Sequence, residues 1–415
     1  MLSRIKFAIV ISSTFLTALL VIGAVMGESS SADGAYRQLS VYTEVLSRIK
    51  SDYVEEPDIK QVTRGALQGL LESLDPYSSY LTADQFKEYE KRKTFLFTPG
   101  SPFAYGQDGS IGLVVSKRFG YVLVLATLPG SPAAKAGLVV GDLVEAVDRK
   151  ATRDLPLPLI QTMLNGPAGS SVTLVVRRSR RAEEPQELSL ARAAVAVPPV
   201  AHKLLADKVG YLDIKALTSG KAAEASRAVR ELVTQGADRL ILDLRNNATG
   251  DQQEAVKLAN LFVDNGLLAF LEGQKFPRKD FSADPRQAVT KLPLVVITNR
   301  ATAGPAELVA AAIVDRQRGQ IVGEKTFGLG AEQKTIPMDD GAAIILSVAK
   351  YHRPSGKAIQ DGGINPTLQV AESDAELPTD DDAAPDQPPA PRSQEDEPLK
   401  KAIEVVKGAA LPAAA

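Results

Sequence analysis

The sequence predicts an α/β protein: a mostly parallel sheet flanked by helices, preceded by a smaller inserted β-domain and an N-terminal helical segment. Three observations carry this expectation. From residue 208 onward, short apolar runs alternate with amphipathic stretches of helical period, as βα units require. Residues 110–178 instead hold closely spaced strand-like runs punctuated by glycine. Near the start, Leu39, Tyr42, Val45, Leu46, Ile49 and Tyr53 recur at helical spacing.

Composition narrows the function classes. A chain of 415 residues can hold two or three domains and a substantial core. Its formal net charge of -2 gives no electrostatic footprint for nucleic acid. With no cysteine there is neither a disulfide framework nor a thiolate nucleophile. The two histidines, His202 and His352, stand in no metal-binding spacing, so neither a metal nor another cofactor is expected.

Taken in order, the chain opens with a membrane signal. Residues 7–27 carry no charge and follow Arg4 and Lys6, which suits a spanning helix with its N-terminus inside. The run is longer than a signal-peptide core, and Val25-Met26-Gly27 is a poor cleavage site, so residues 1–28 are expected to be an anchor rather than a cleaved signal. Either way the bulk of the chain is expected outside the inner membrane, in the periplasm or its equivalent. Residues 36–95 form the helical segment. Asp58 caps a second helix, Asp75-Pro76 ends it, and Thr82 with Gln85 makes a capping box for a third. This segment carries no chemistry and is expected to serve packing or dimerisation.

Residues 96–180 form the β-domain. Strand-like runs at 110–115, 121–126, 143–147 and 171–177 enclose a short capped helix at 131–137 and a second helix at 157–164. The order resembles a PDZ domain, with the SPAAKAGL and GD elements in place. That resemblance implies that a peptide C-terminus adds as a strand beside Ile111, Gly112, Leu113, Val114 and Val115. Backbone N–H groups around Ser110, Ile111 and Gly112 would hold its carboxylate.

Residues 181–371 form the α/β core. Strands are expected at 209–214, 240–244, 294–297 and 320–323, with a last one at 342–348 completing the sheet. Helices are expected at 222–235, 252–262 and from Pro305 to about Asp315. Residues 372–415 are rich in Asp, Pro and Ala and are expected to be a disordered tail, with at most a short helix at 399–406.

Strand, tight turn and helix N-terminus at 294–307 make the geometry in which α/β enzymes expose a nucleophile. The turn offers only Gly304. Residues 240–247 (LILDLRNN), 324–330 (EKTFGLG) and 351–366 (YHRPSGKAIQDGGINP) resemble the carboxyl-terminal processing, or tail-specific, serine endopeptidases, and the likeness spans about residues 41–370. The resemblance implies a serine nucleophile and a neutral lysine base. By position the serine falls on Gly304 and the lysine on Leu329. Gln333, Glu307 and Asp315 are retained neighbours. The family's NPGG, whose glycine backbone helps hold the oxyanion, falls on Asn247, Ala248, Thr249 and Gly250, where the asparagine and the last glycine are kept.

Other candidates for the missing chemistry are poor. Thr302 lies two residues from the nucleophile's position and is expected to bond locally. Lys325 has a counterpart beside the family's catalytic lysine, and Asp243 with Arg245 is expected to be a structural ion pair. Three functions follow: a membrane-anchored pseudoprotease that binds unfolded or C-terminal peptide segments and acts as a chaperone or regulator; an active endopeptidase with a displaced nucleophile; and a PDZ scaffold alone. An active paralogue or a homo-oligomer is a possible partner of the first.

Overall fold

Helix α1, Ala32–Asp52, realises the first helical periodicity. The computed structural model describes residues 32–93, 109–118, 120–178, 184–371 and 396–409, with side chains from residue 39 on. The expected anchor at 1–28 lies outside them, and among the described residues no helix is long and apolar enough to cross a membrane. These residues fall into two compact units, with the break after Ala66. In the first, Leu39 and Val45 of α1 remain 58% and 52% exposed. Helix α2, Ile59–Glu72, begins where Asp58 Oδ1 accepts from Lys60 and Gln61 N–H.

The second unit takes in the end of α2 and then a strand that carries no signal in the sequence, β1 (Ser79–Leu81). The carboxylate of Asp75 shapes the turn ahead of it by accepting from Tyr77 N–H, Ser78 N–H and Ser78 Oγ. Helix α3, Ala83–Lys93, carries the expected capping box: Gln85 N–H donates to Thr82 Oγ1 and Thr82 N–H to Gln85 Oε1.

The PDZ-like sheet has the order β2 (Leu113–Arg118), β3 (Tyr121–Thr127), β4 (Leu143–Val147), β6 (Ser171–Arg177) and β7 (Gln186–Ala191), and the short β5 (Lys150–Ala151) pairs with β4. Helix α4 (Pro132–Lys135) is capped by Ser131 Oγ, and α5 (Leu157–Met163) buries almost its whole length. Strand β7 pairs with β6 over six residues, so this domain runs past the expected boundary at residue 180. The alternating pattern of β7, exposed on one face, gave too weak a strand signal to place it.

The core sheet has the order β17-β14-β13-β10-β9-β8. Its members are β8 (Ala201–Leu204), β9 (Val209–Asp213), β10 (Arg239–Asp243), β13 (Leu294–Thr298), β14 (Gln320–Gly323) and β17 (Leu368–Gln369). All pairings are parallel except β8 with β9. Helices α6 (Lys221–Thr234), α7 (Gln252–Asn260) and α8 (Pro305–Asp315) bury their apolar faces in one continuous cluster with Leu212, Leu240, Leu242 and Val296.

Two expectations are corrected. The strand expected at 342–348 does not complete the parallel sheet. As β16 (Ala343–His352) it pairs antiparallel with β1, with β11 (Leu267–Gly273) and with β15 (Ala331–Pro337), and β12 (Phe276–Ser282) pairs with β11. Its half-buried burial pattern is that of an antiparallel strand with one open face. The tail, expected to be disordered, holds the short helix that the sequence allowed at 399–406. Helix α9, Glu397–Gly408, starts at the cap Asp396, and its Ala402 and Val406 pack on Val209, Ile241, Val295, Ile297 and Val322. The parallel sheet is apolar on both faces, and α9 covers the one that α6, α7 and α8 leave open.

Candidate active site

The strand β13 ends in Thr298, and the chain turns through residues 299–304 into α8. Gly304 sits at φ 60°, ψ -119°, a backbone conformation that side-chain-bearing residues adopt only under strain. It is the left-handed turn that exposes a nucleophile on related architectures. Here nothing projects from it. A Cβ built at Gly304 would meet only Leu329, whose Cδ2 lies 3.6 Å away. A side chain at position 304 would therefore meet Leu329 at van der Waals distance, an aliphatic side chain at the position expected for the base.

Around them the scaffold is tightly held. Glu307 is fully buried and accepts from Gly304 N–H at 2.9 Å, Gly328 N–H at 2.7 Å, Leu329 N–H at 2.7 Å and the Thr326 hydroxyl. One carboxyl group thus ties the turn before α8 to the glycine loop. Burial pushes its pKa up to about 7 against the pull of those four donors. Gln333 donates from Nε2 to Tyr77 O at 2.9 Å. Asp315 does not belong here: it lies at the other end of α8, roughly 15 Å away by helical rise, paired with Arg353 and accepting from Ser355 N–H.

The oxyanion region adjoins the same turn. Asn247 O accepts from Ala303 N–H at 2.9 Å, which fixes the chain at Ala248 and Thr249 beside the turn. Gly250 has no room for a side chain, since a Cβ would lie 2.3 Å from Leu217 O. Thr249 Oγ1 and Asn247 Oδ1 are buried without a hydrogen-bond partner among the described residues.

A cavity of about 170 Å³ joins this centre to the PDZ-like groove. Gly250, Gly304, Pro305, Leu329 and Gln333 line it from the core, Leu113, Val114, Val115, Leu125 and Leu157 from the β-domain. Among the described residues, no lysine, arginine or histidine lines it. Its hydroxyls are engaged: Ser116 Oγ lies 3.3 Å from Tyr77 Oη, Thr162 donates to Leu159 O, and Tyr89 bonds Thr335. Burial pushes the Tyr77 phenol up to about 12. Thr302 is fully buried, donating to Leu244 O at 2.9 Å and accepting from Asn299 N–H at 3.0 Å. The nearby buried amine, Lys117, bonds Glu72, Arg153 O and Leu155 O.

The peptide-binding residues divide. Leu113, Val114 and Val115 line the cavity, whereas Ser110, Ile111 and Gly112 are buried beside it. Ser110 N–H donates to Ala193 O and Gly112 N–H to Ser110 Oγ, so two of the three amides expected to hold a carboxylate are bonded internally. The seam between the β-domain and the glycine loop was not foreseen. Val114, Leu125 and Ala126 pack on Ala248 and Ala303 with Phe327 and Leu329 against them, and Arg118 donates to Phe327 O at 3.0 Å. A sequence read one domain at a time holds no signal for such a contact. Asp243 and Arg245 form the expected ion pair, extended by Asp396. His202 lies beside Glu231, and His352 stacks on Phe270.

Fold and site together define a PDZ-bearing α/β peptidase architecture. Residues 208–370 match the peptidase family S41, residues 123–178 a PDZ domain, and residues 22–85 the N-terminal domain of the activating protease CtpB. The chain is 33% identical over 370 residues to the chloroplastic C-terminal processing peptidase of Tetradesmus obliquus, covering 84% of this chain and 77% of that one. It is 28% identical to the carboxy-terminal-processing protease of Bartonella bacilliformis, covering 88% and 82%. The photosystem II D1 C-terminal processing protease superposes with a TM-score of 0.63 at 28% identity, over 80% of this chain and 92% of that one. The chain belongs to the carboxyl-terminal processing serine-type peptidase family.

Proposed function

We propose that this chain is a pseudoprotease of that family: a membrane-anchored, extracytoplasmic protein that binds peptide C-termini through its PDZ domain and does not cleave them. The observation that supports this is the pairing of Gly304 with Leu329. Acyl transfer needs a nucleophile within hydrogen-bond reach of a base, and loss of either member of such a pair removes most of the chemical rate. Here both are replaced, and the hydroxyls nearest the turn offer no substitute: Thr302 donates to Leu244 O, Thr326 donates to the Glu307 carboxyl, and Thr249 Oγ1 has no hydrogen-bond partner among the described residues. Thr302 in particular holds the turn together and is not a displaced nucleophile. In the cell such a protein would shield unfolded C-termini or modulate an active relative.

A fluorophosphonate probe tests the chemistry. The purified chain is expected to take up no stoichiometric label; labelling that persists in a Thr302→Ala variant would place a nucleophile elsewhere and refute the proposal. Residues 7–27 supply the anchor in this reading, so deleting residues 1–28 should move the chain from the membrane pellet to the supernatant. Unchanged sedimentation of that deletion counts against the anchor.

A further inference from the structure

The place left by the missing dyad has a shape and a polarity of its own. Beside Gly304 the space within 4 Å of a built Cβ holds only Leu329 atoms. Leu329 itself is half-buried and packs on two apolar clusters, one inside the β-domain and one at the seam. The apolar walls come from Leu113, Val115, Leu125, Leu157, Pro305 and Leu329, together with the rings of Tyr77 and Tyr89. The polar lining is neutral, with Gln161, Asn165, Gln252 and Gln333 among it. At about 170 Å³ the cavity is too small for several residues of peptide and large enough for one side chain. Aliphatic cavities of about 150 Å³ hold a benzene-sized ring.

We propose that the vacated catalytic seat is an anchoring subsite for one aliphatic or aromatic side chain of the peptide held by the PDZ groove. The inference rests on the proposed peptide-binding function and adds a specificity to it. The β2 edge and α5, which would bracket the peptide, line the same cavity as Gly304 and Leu329, so a chain bound along β2 directs a side chain into the seat. A charged side chain is excluded, because among the described residues no counter-charge lines the site to offset its desolvation. Leu329 thereby exchanges a lost catalytic role for a recognition role.

The test is a titration of the full chain with fluorescent peptides identical except at one position near the free C-terminus, carrying Leu, Phe, Ala, Asp or Lys in turn. Leu and Phe peptides are expected to bind ~10–100-fold more tightly than Ala at one position, with Asp and Lys weaker still. Leu329→Lys is expected to weaken the Leu peptide by about tenfold or more and to flatten the Leu-to-Ala ratio. Leu329→Ala, the milder change, should flatten the ratio with the fold intact by thermal melting. If the unmutated chain binds the peptides while both Leu329 variants leave affinity and ratio unchanged, the subsite is refuted and PDZ binding stands. Tighter binding in the Leu329 variants also refutes it, since Leu329 would then hold the groove shut. If the unmutated chain binds none of the peptides, the proposed function fails and the subsite with it.

Discussion

Glu307 has no partner of opposite charge among its bonding neighbours, and it is completely buried. Its carboxyl gains a proton on folding between the ordinary Glu range near 4.5 and about 7. In that window the folded state binds more protons than the unfolded state, so Glu307 favours folding most at low pH. Its contribution is lost as pH rises through about 7. The full shift corresponds to roughly 3 kcal/mol. Denaturant unfolding followed from pH 4.5 to 8 is expected to show this loss of stability in the unmutated chain and a flatter profile in Glu307→Gln. Parallel profiles would mean that the four donors hold the carboxylate ionised throughout.

At the scale of elements, α9 carries a prediction of its own. It covers the second face of the parallel sheet with Ala402 and Val406, and Asp396 at its cap joins Arg245, itself bound to Asp243. Ending the chain at residue 395 would expose Val209, Ile241, Val295, Ile297 and Val322. At about 25 cal/mol per Å² of apolar surface, several such side chains amount to several kcal/mol. The truncated chain is therefore expected to melt well below the full chain and to bind a hydrophobic dye; an unchanged melting temperature would make α9 an accessory. The sequence allowed a short helix at 399–406, but its packing on the sheet was not legible. Its apolar positions have helical spacing, but they stand within a stretch whose overall composition resists folding, and only the open face of the sheet gives them a partner. The βα alternation after residue 208 was legible because each strand there is apolar throughout and each helix amphipathic. Strands β12 and β15 escaped because they are largely polar and exposed, whereas β11 is a short buried apolar run with no periodicity to mark it as a strand. In the site, Gly304 and Leu329 were found from the sequence by position. Their mutual contact, the hub at Glu307 and the engaged Thr302 hydroxyl follow from the folded chain alone.

For the whole molecule, the PDZ-like domain and the core close on one cavity, and the seam between them runs through Phe327 and Leu329 of the very loop that should bear the base. In the proposed reading, the peptide-binding elements and the dyad positions share one surface. Leu113, Val115 and Leu157 then stay available for binding, so the chain is expected to hold peptides that it does not cut. The most direct measurement is the intact mass of an unfolded, tail-exposed substrate incubated with the full chain at saturating concentration, beside the Gly304→Ser, Leu329→Lys double variant. The account predicts that the substrate's mass stays unchanged with the natural chain, although the two co-elute, and that fragments appear with the double variant. Fragments accumulating beyond one equivalent with the natural chain, and persisting in Thr302→Ala, would contradict it.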